Sequence, residues 1–202
     1  MSAKDHVVFV VDDDVRMREA LDELLTSAHL NVVTFGSAAE YIGFAKPELP
    51  ACLILDVELP DINGLELQRQ IAAEQHPQIV FLTGHGDIPS SVRALKAGAV
   101  DFLTKPFSES DLLGAVHTAI VQDREARLQR EKVATLQQRL DTLTPREREV
   151  LPLVVRGLLN KQAAAELGIS EVTLQIHRGR IMHKMGADSL ADLVRMAGAL
   201  GI

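Results

Sequence analysis

The chain has 202 residues, 47% of them apolar, a net charge of −7 and one cysteine, Cys52. That length allows one or two domains; a lone cysteine excludes an internal disulfide, and no apolar run approaches the ~20 residues of a membrane helix. Residues 1–6 lack the apolar core of a secretory signal, so a cytoplasmic protein without a membrane partner is expected.

The charge is uneven. Residues 1–120 carry 8 Lys/Arg against 18 Asp/Glu, residues 121–143 carry 5 against 4, and residues 144–202 carry 8 against 6. An acidic front and a mildly basic tail predict two domains with different partners.

In chain order, His6 to Val11 reads as a buried strand, followed at once by Asp12-Asp13-Asp14. Apolar residues at Met17, Ala20, Leu21, Leu24, Leu25 and Ala28 have the spacing of a helix with one buried stripe. Val32–Phe35 is a short strand, and Ser37 to Glu40 is a capping box opening a helix to about Ala45. Leu53-Ile54-Leu55 forms a strand that ends on Asp56, and Pro60 with Asn63-Gly64 forces a loop before a helix from Gly64 to about Glu74. Ile79–Leu82 is a further strand ending at Thr83; a helix to Ala97 follows, then a last strand at Asp101 closed by Lys105-Pro106. Ser108 to Asp111 caps a fifth helix. Five strands alternating with five helices predict an α/β, parallel, doubly wound sheet over residues 1–120.

Residues 121–143 contain no Gly or Pro and many charges. Ala126, Val133 and Leu140, with Leu136 and Leu143, suit either a short coiled coil or a solvated helical linker. Residues 144–202 read as four short helices. Thr144-Pro145-Arg146-Glu147 opens the first, Asn160 caps the second, Ser170 the third and Ser189 the fourth. The pair joined by Leu167-Gly168-Ile169-Ser170 has the form of a helix-turn-helix.

Asp12, Asp13 and Asp56 end parallel strands at one sheet edge, where ligands of such folds sit. Clustered carboxylates need a counter-ion, and Mg²⁺ held by oxygen ligands suits them. Thr83 and Lys105 end two further strands there, adding a hydroxyl and a mobile cation. The set suits a phosphoryl group carried by Asp56 as an acyl phosphate. Glu58 and His85, two residues beyond Asp56 and Thr83, are expected to overhang the path of attacking water and set the lifetime of that group.

Val11-Asp12-Asp13, Leu55-Asp56 with Pro60 and Gly64, Thr83-Gly84 and Lys105-Pro106 resemble the receiver domain of bacterial two-component response regulators. The resemblance implies a flavodoxin-like fold, a histidine kinase as phosphodonor, Asp56 as acceptor, and Mg²⁺ on Asp12, Asp13, Asp56 and the carbonyl of Glu58. Thr83 would hold the phosphoryl oxygen, Lys105 would pair with it, and Phe102, three residues before Lys105, would be the aromatic switch that works with Thr83. Leu143 to Leu151, Asn160-Lys161, Leu167 to Ser170 and Thr173 to His177 resemble the LuxR-type DNA-binding domain. The whole chain is thus similar to FixJ/NarL-type transcription regulators, which implies double-stranded DNA as partner, a homodimer on phosphorylation and contact with RNA polymerase. The helix from Ile88 to Ala97 and the strand at Asp101 would be the dimer surface. A helical wheel puts Leu174, Ile181 and Met185 on one side of the third helix and Val172, Ile176, Gly179, Arg180 and His183 on the other. By resemblance, Gln175, Ile176 and Gly179 read bases while Lys161, Thr173, Arg180 and Lys184 contact phosphates.

Two alternatives stand beside this reading. One is a Mg-dependent phosphohydrolase with Asp56 as nucleophile, which would want a second Asp where Glu58 stands. The other is a DNA-binding regulator independent of phosphorylation.

Overall fold

The computed structural model describes residues 5–72, 76–84 and 88–202. The chain divides into two compact units, Met1–Arg127 and Leu128–Ile202.

The first unit is a five-stranded parallel sheet in the order β2-β1-β3-β4-β5. The strands are β1 (Val7–Val11), β2 (Val32–Phe35), β3 (Ala51–Asp56), β4 (Gln78–Thr83) and β5 (Asp101–Thr104). The helices are α1 (Val15–Ser27), α2 (Ala38–Gly43), α3 (Gly64–Ile71), α4 (Ile88–Lys96) and α5 (Glu109–Asp141), the last continuing into the second unit. β1 and β3 are apolar at almost every position because both of their faces are covered. Phe9, Leu53 and Leu55 face a core that includes Tyr41 of α2 and Leu67 of α3. Val8, Val10 and Ile54 face Leu21 and Leu25 of α1 with Leu112 and Val116 of α5.

The predicted elements appear, with three local differences. α3 ends at Ile71, short of the end expected at about Glu74. α2 stops at Gly43 rather than Ala45, since Phe44 is already extended. Ser37 does cap α2, but Glu40 takes the amide of Gly36 instead of Ser37, so the box is not reciprocal.

In the second unit the end of α5 is joined by α6 (Pro145–Val155), α7 (Asn160–Leu167), α8 (Glu171–Met185) and α9 (Leu190–Ala199). They pack around Val150, Leu151, Val154, Leu174, Ile181, Met185 and Leu193, with Leu140 and Leu143 packed on the same core. Thr144 and Glu147 form the reciprocal capping box of α6. The residue before α7 is Leu159, not Asn160; its amide is taken by the Gln162 side chain. Asn160 opens the helix and accepts instead from Arg178 of α8 at 3.1 Å, which ties the two helices of the helix-turn-helix together. Gly168 makes the turn between them at φ 65°, in the left-handed region that glycine enters without strain.

The loop after β3 approaches α3 closely. Gly64 donates to Val57 at 2.9 Å, and a Cβ on Gly64 would overlap the carbonyl oxygen of Asp56. A backbone oxygen cannot swing aside as a long side chain can. Gly64→Ala is therefore expected to cost about 2–4 kcal/mol of first-unit stability, read by urea unfolding; a loss under about 1 kcal/mol would show that the loop relaxes freely.

Candidate functional site

Sheet register positions the acids. Val11 pairs with Leu55, Leu55 with Phe81, and Phe81 with Phe102, so these four side chains lie in one row across the sheet. One step further along the strands stand Asp12 and Asp56, at the junction of β1 and β3 where the strand order reverses. Thr83 and Lys105 end β4 and follow β5, and the Lys105 amide donates to the Thr83 carbonyl at 2.8 Å. The cleft thus opens at the topological switch point, the usual ligand position of such sheets.

The Lys105 ammonium bridges two of the acids, at 2.8 Å from Asp12 Oδ2 and 2.5 Å from Asp56 Oδ2. Their other oxygens accept backbone amides: Asp12 Oδ1 from Asp14 at 2.9 Å and Asp56 Oδ1 from Glu58 at 2.8 Å. Asp12 is 1% exposed and Asp56 6%. Burial lifts the Asp12 carboxyl above its ordinary range, with Lys105 pulling the other way. Burial also works against the charge of Lys105, but its hydrogen bonds to Asp12 and Asp56 prevail and hold it above the ordinary lysine value. Asp13 is exposed, yet its carboxylate lies with those of Asp12 and Asp56 within 4.8 Å of one another. Three hard oxygen donors so disposed fit a divalent cation, which would offset the repulsion that one ammonium only partly relieves.

Thr83 is buried at the end of β4. Phe102 is half-buried, 6.0 Å from Phe81 between ring centroids. Glu58 is exposed, and His85 lies outside the described residues. Sequence reasoning missed Arg18, whose Nη1 donates to the Asp12 carbonyl at 2.6 Å and fixes that strand end from α1. It also missed Asp61, which accepts from the amides of Ala38 and Ala39 at 3.4 and 3.0 Å and so ties the loop after β3 to α2. Those amides hold the Asp61 carboxyl below its ordinary value, outweighing the opposing burial. The Asp12-Asp13-Asp14 run and Pro60 carried a signal; nothing in the sequence set Arg18 or Asp61 apart from other surface charges.

In the second unit, α8 presents the two sides expected from the wheel. Leu174, Ile181 and Met185 are fully buried, while Ile176 is 50% exposed and Val172, Gln175, Gly179 and Arg180 lie on the outer side. Lys161 is exposed on α7. Thr173 shares a hydrogen bond with Ser170 at the start of α8. Lys184 is held within the unit: its ammonium donates to Glu147 at 2.7 Å and to the Thr142 carbonyl at 3.0 Å. Arg139 of α5 donates to the Met185 carbonyl at 2.8 Å, so the last turn of α8 is fastened at two points. Glu147 is 1% exposed, and although burial opposes its charge, Lys184 and Thr144 bring its pKa below the usual glutamate value.

Both parts of the chain match known proteins. The response regulator receiver domain matches residues 8–117, and the luxR family of bacterial regulatory proteins matches residues 141–197. Nodulation protein W of Bradyrhizobium diazoefficiens is 52% identical, covering 97% of this chain and 87% of its own. Transcriptional regulatory protein FixJ of the same organism is 40% identical, covering 100% of this chain and 98% of its own. Among solved structures, response regulator StyR superposes with a TM-score of 0.81 at 48% identity over 96% of this chain and 98% of that one.

The Glu147–Lys184 pair sets a pH dependence. A carboxyl whose folded pKa is depressed stabilises the fold above its unfolded value and loses that contribution as pH falls through the folded one. Stability at α6 and α8 is therefore expected to fall below about pH 4.3, and Glu147→Gln to flatten that acid limb while costing about 1–3 kcal/mol at neutral pH. Urea unfolding followed by amide exchange in α6 and α8 checks both; an unchanged acid limb in Glu147→Gln would contradict the assignment.

Proposed function

Because the chain belongs to the response regulators that join a receiver to a LuxR-type DNA-binding domain, we propose that Asp56 takes the phosphoryl group from a histidine kinase and that this addition controls binding of α8 to double-stranded DNA. The observation that carries this reading is the Lys105 bridge between Asp12 and Asp56 at the mouth of the sheet.

The chemistry follows from the atoms. A carboxylate oxygen of Asp56 attacks phosphorus, an oxygen–phosphorus bond forms, and the bond from phosphorus to the donor's imidazole nitrogen breaks. The amide of Glu58 on Oδ1 and Lys105 on Oδ2 hold the nucleophile in a fixed orientation. Lys105 then follows the new negative charge, leaving Asp56 for a phosphoryl oxygen, and the Thr83 hydroxyl turns to another. Asp12, Asp13, Asp56 and the carbonyl of Glu58 would hold Mg²⁺, whose charge, when bound, would stabilise the transferring phosphoryl group. On β5 the partner of Thr83 is Thr104, and Phe102, the partner of Phe81, lies two residues back on the same face. We read Thr83 and Phe102 as the link from the pocket to the α4–β5 surface, and that surface as the one for a second copy of the chain.

At the DNA, Gln175, Ile176 and Gly179 would face base edges, and Lys161, Thr173 and Arg180 the phosphates. Lys184 would reach a phosphate only by giving up Glu147, so Lys161 and Arg180 are proposed to carry more of the salt dependence. We read the protein as a cytoplasmic regulator that also touches RNA polymerase rather than as an enzyme. No helix among the described residues is long and apolar enough to cross a membrane. A phosphohydrolase would want a second Asp two residues beyond Asp56 as its general acid, and that position holds Glu58 instead.

The test is incubation with a small phosphodonor and Mg²⁺, followed by intact-mass analysis and sedimentation. Wild type is expected to gain one phosphoryl group and to sediment as a dimer, whereas Asp56→Asn gains none and stays monomeric. Labelling of Asp56→Asn, or labelling without divalent metal, would overturn the acceptor assignment. Equal association with and without phosphate would overturn the dimer and favour the phosphorylation-independent alternative.

A further inference from the structure

At the opposite edge of the sheet from Asp56 lies a cavity of about 320 Å³, lined by His6, Ala28, His29, Leu30, Leu113, Val116, His117 and Ile120. His6 immediately precedes β1, Ala28, His29 and Leu30 form the turn between α1 and β2, and the other four belong to α5. Three of the chain's seven histidines therefore meet at one cavity whose remaining walls are aliphatic.

Two of the three are held in ways that packing alone does not explain. His6 is 1% exposed, and neither of its ring nitrogens has a hydrogen-bond partner among the described residues. Buried polar groups are ordinarily paired, so this ring carries an uncompensated cost that a phenyl ring would avoid. His29 adopts φ 62° at the end of α1, where its amide donates to Thr26 and that of Leu30 to Leu25. Glycine meets that turn more cheaply, yet an imidazole stands there on the cavity wall.

We propose that this cavity binds a small uncharged molecule with an apolar body and one hydroxyl, the hydroxyl pairing with the His6 imidazole and the body lying against Leu30, Leu113, Val116 and Ile120. The cavity size and the aliphatic walls with a few polar groups are those of small-molecule sites. A neutral imidazole offers one N–H and one lone pair, and a hydroxyl both donates and accepts. Burial first, and the positive charge of Arg124 second, lower the pKa of His6 and keep it neutral. A carboxylate head can only accept and would have to shed its hydration beside an uncharged ring. A transition metal fits less well. Among the described residues, the only trio of carboxylate, thiol or imidazole groups with ligand atoms within 4.8 Å of one another is Asp12, Asp13 and Asp56, so these imidazoles are not assembled as a metal site.

The experiment is a protein-observed NMR titration of the full chain with cyclohexanol, with cyclohexanecarboxylate and zinc chloride in parallel. Cyclohexanol is expected to give saturable shifts at the amides of Ala28, Leu30, Leu113, Val116 and Ile120 and at the His6 ring nitrogens. His6→Phe should weaken it about tenfold, the loss of one hydrogen bond, and Leu113→Trp, which fills the cavity, should abolish the shifts. Phosphorylation of Asp56 at the wild-type rate in each variant shows that the unit is folded. Preferential saturable binding of the carboxylate or of zinc at these residues, equal affinity in His6→Phe, or no saturable shift with cyclohexanol up to its solubility limit would each overturn the proposal.

Discussion

Three carboxylates crowd the carboxyl edge of a parallel sheet, and one ammonium, that of Lys105, holds two of them. Like charges this close repel strongly where little water separates them. They stay together because the strands beneath them cannot yield. β1 and β3 are buried on both faces, and their register sets Asp12 beside Asp56. The loop beyond Asp56 is held at three points: the Glu58 amide on Asp56, Gly64 on Val57, and Asp61 on the start of α2. A new negative charge on Asp56 is therefore proposed to be met chiefly by movement of Lys105.

The second unit has a different arrangement of charge. Among the described residues of this unit the deeply buried carboxylate is that of Glu147, which belongs to a helix cap and also receives Lys184 from α8. Together with Arg139 on the Met185 carbonyl, this fixes the end of α8 against the chain that precedes α6. The outer side of α8, with Gln175, Ile176, Gly179 and Arg180, is left exposed. A rigid inner side and an exposed outer side are what a helix entering a major groove requires.

Much of this was legible in the sequence. An apolar run that ends on a carboxylate is unusual enough to mark Asp12 and Asp56, and helix spacing separated Leu174, Ile181 and Met185 from Ile176 without any structure. Interactions between distant residues were not legible. Asp123 reads as one charge among many in a polar stretch, yet it is fully buried and accepts from the Ala51 amide, 72 residues away, at 2.9 Å. Asn160 has the right chemistry for a cap, but folding brings Arg178 to it and Leu159 takes the cap position. The Thr144–Glu147 box was visible as a four-residue pattern, whereas its third member, Lys184, lies 37 residues on. His6, His29 and His117 share no periodic stripe, so only the fold reveals that they face one cavity.

The central claim is that one phosphoryl group on Asp56 governs what α8 binds. It is tested most directly by selecting duplexes from a random library with the phosphorylated full chain. The affinity for the selected site is then measured with and without phosphodonor, in wild type and in Asp56→Asn. A dimer on two half-sites roughly doubles the phosphate contacts of a monomer, so phosphorylation should tighten wild-type binding by about tenfold or more and steepen its salt dependence, with no response in Asp56→Asn. Identical affinity and salt slope in both states of the wild type would contradict the account.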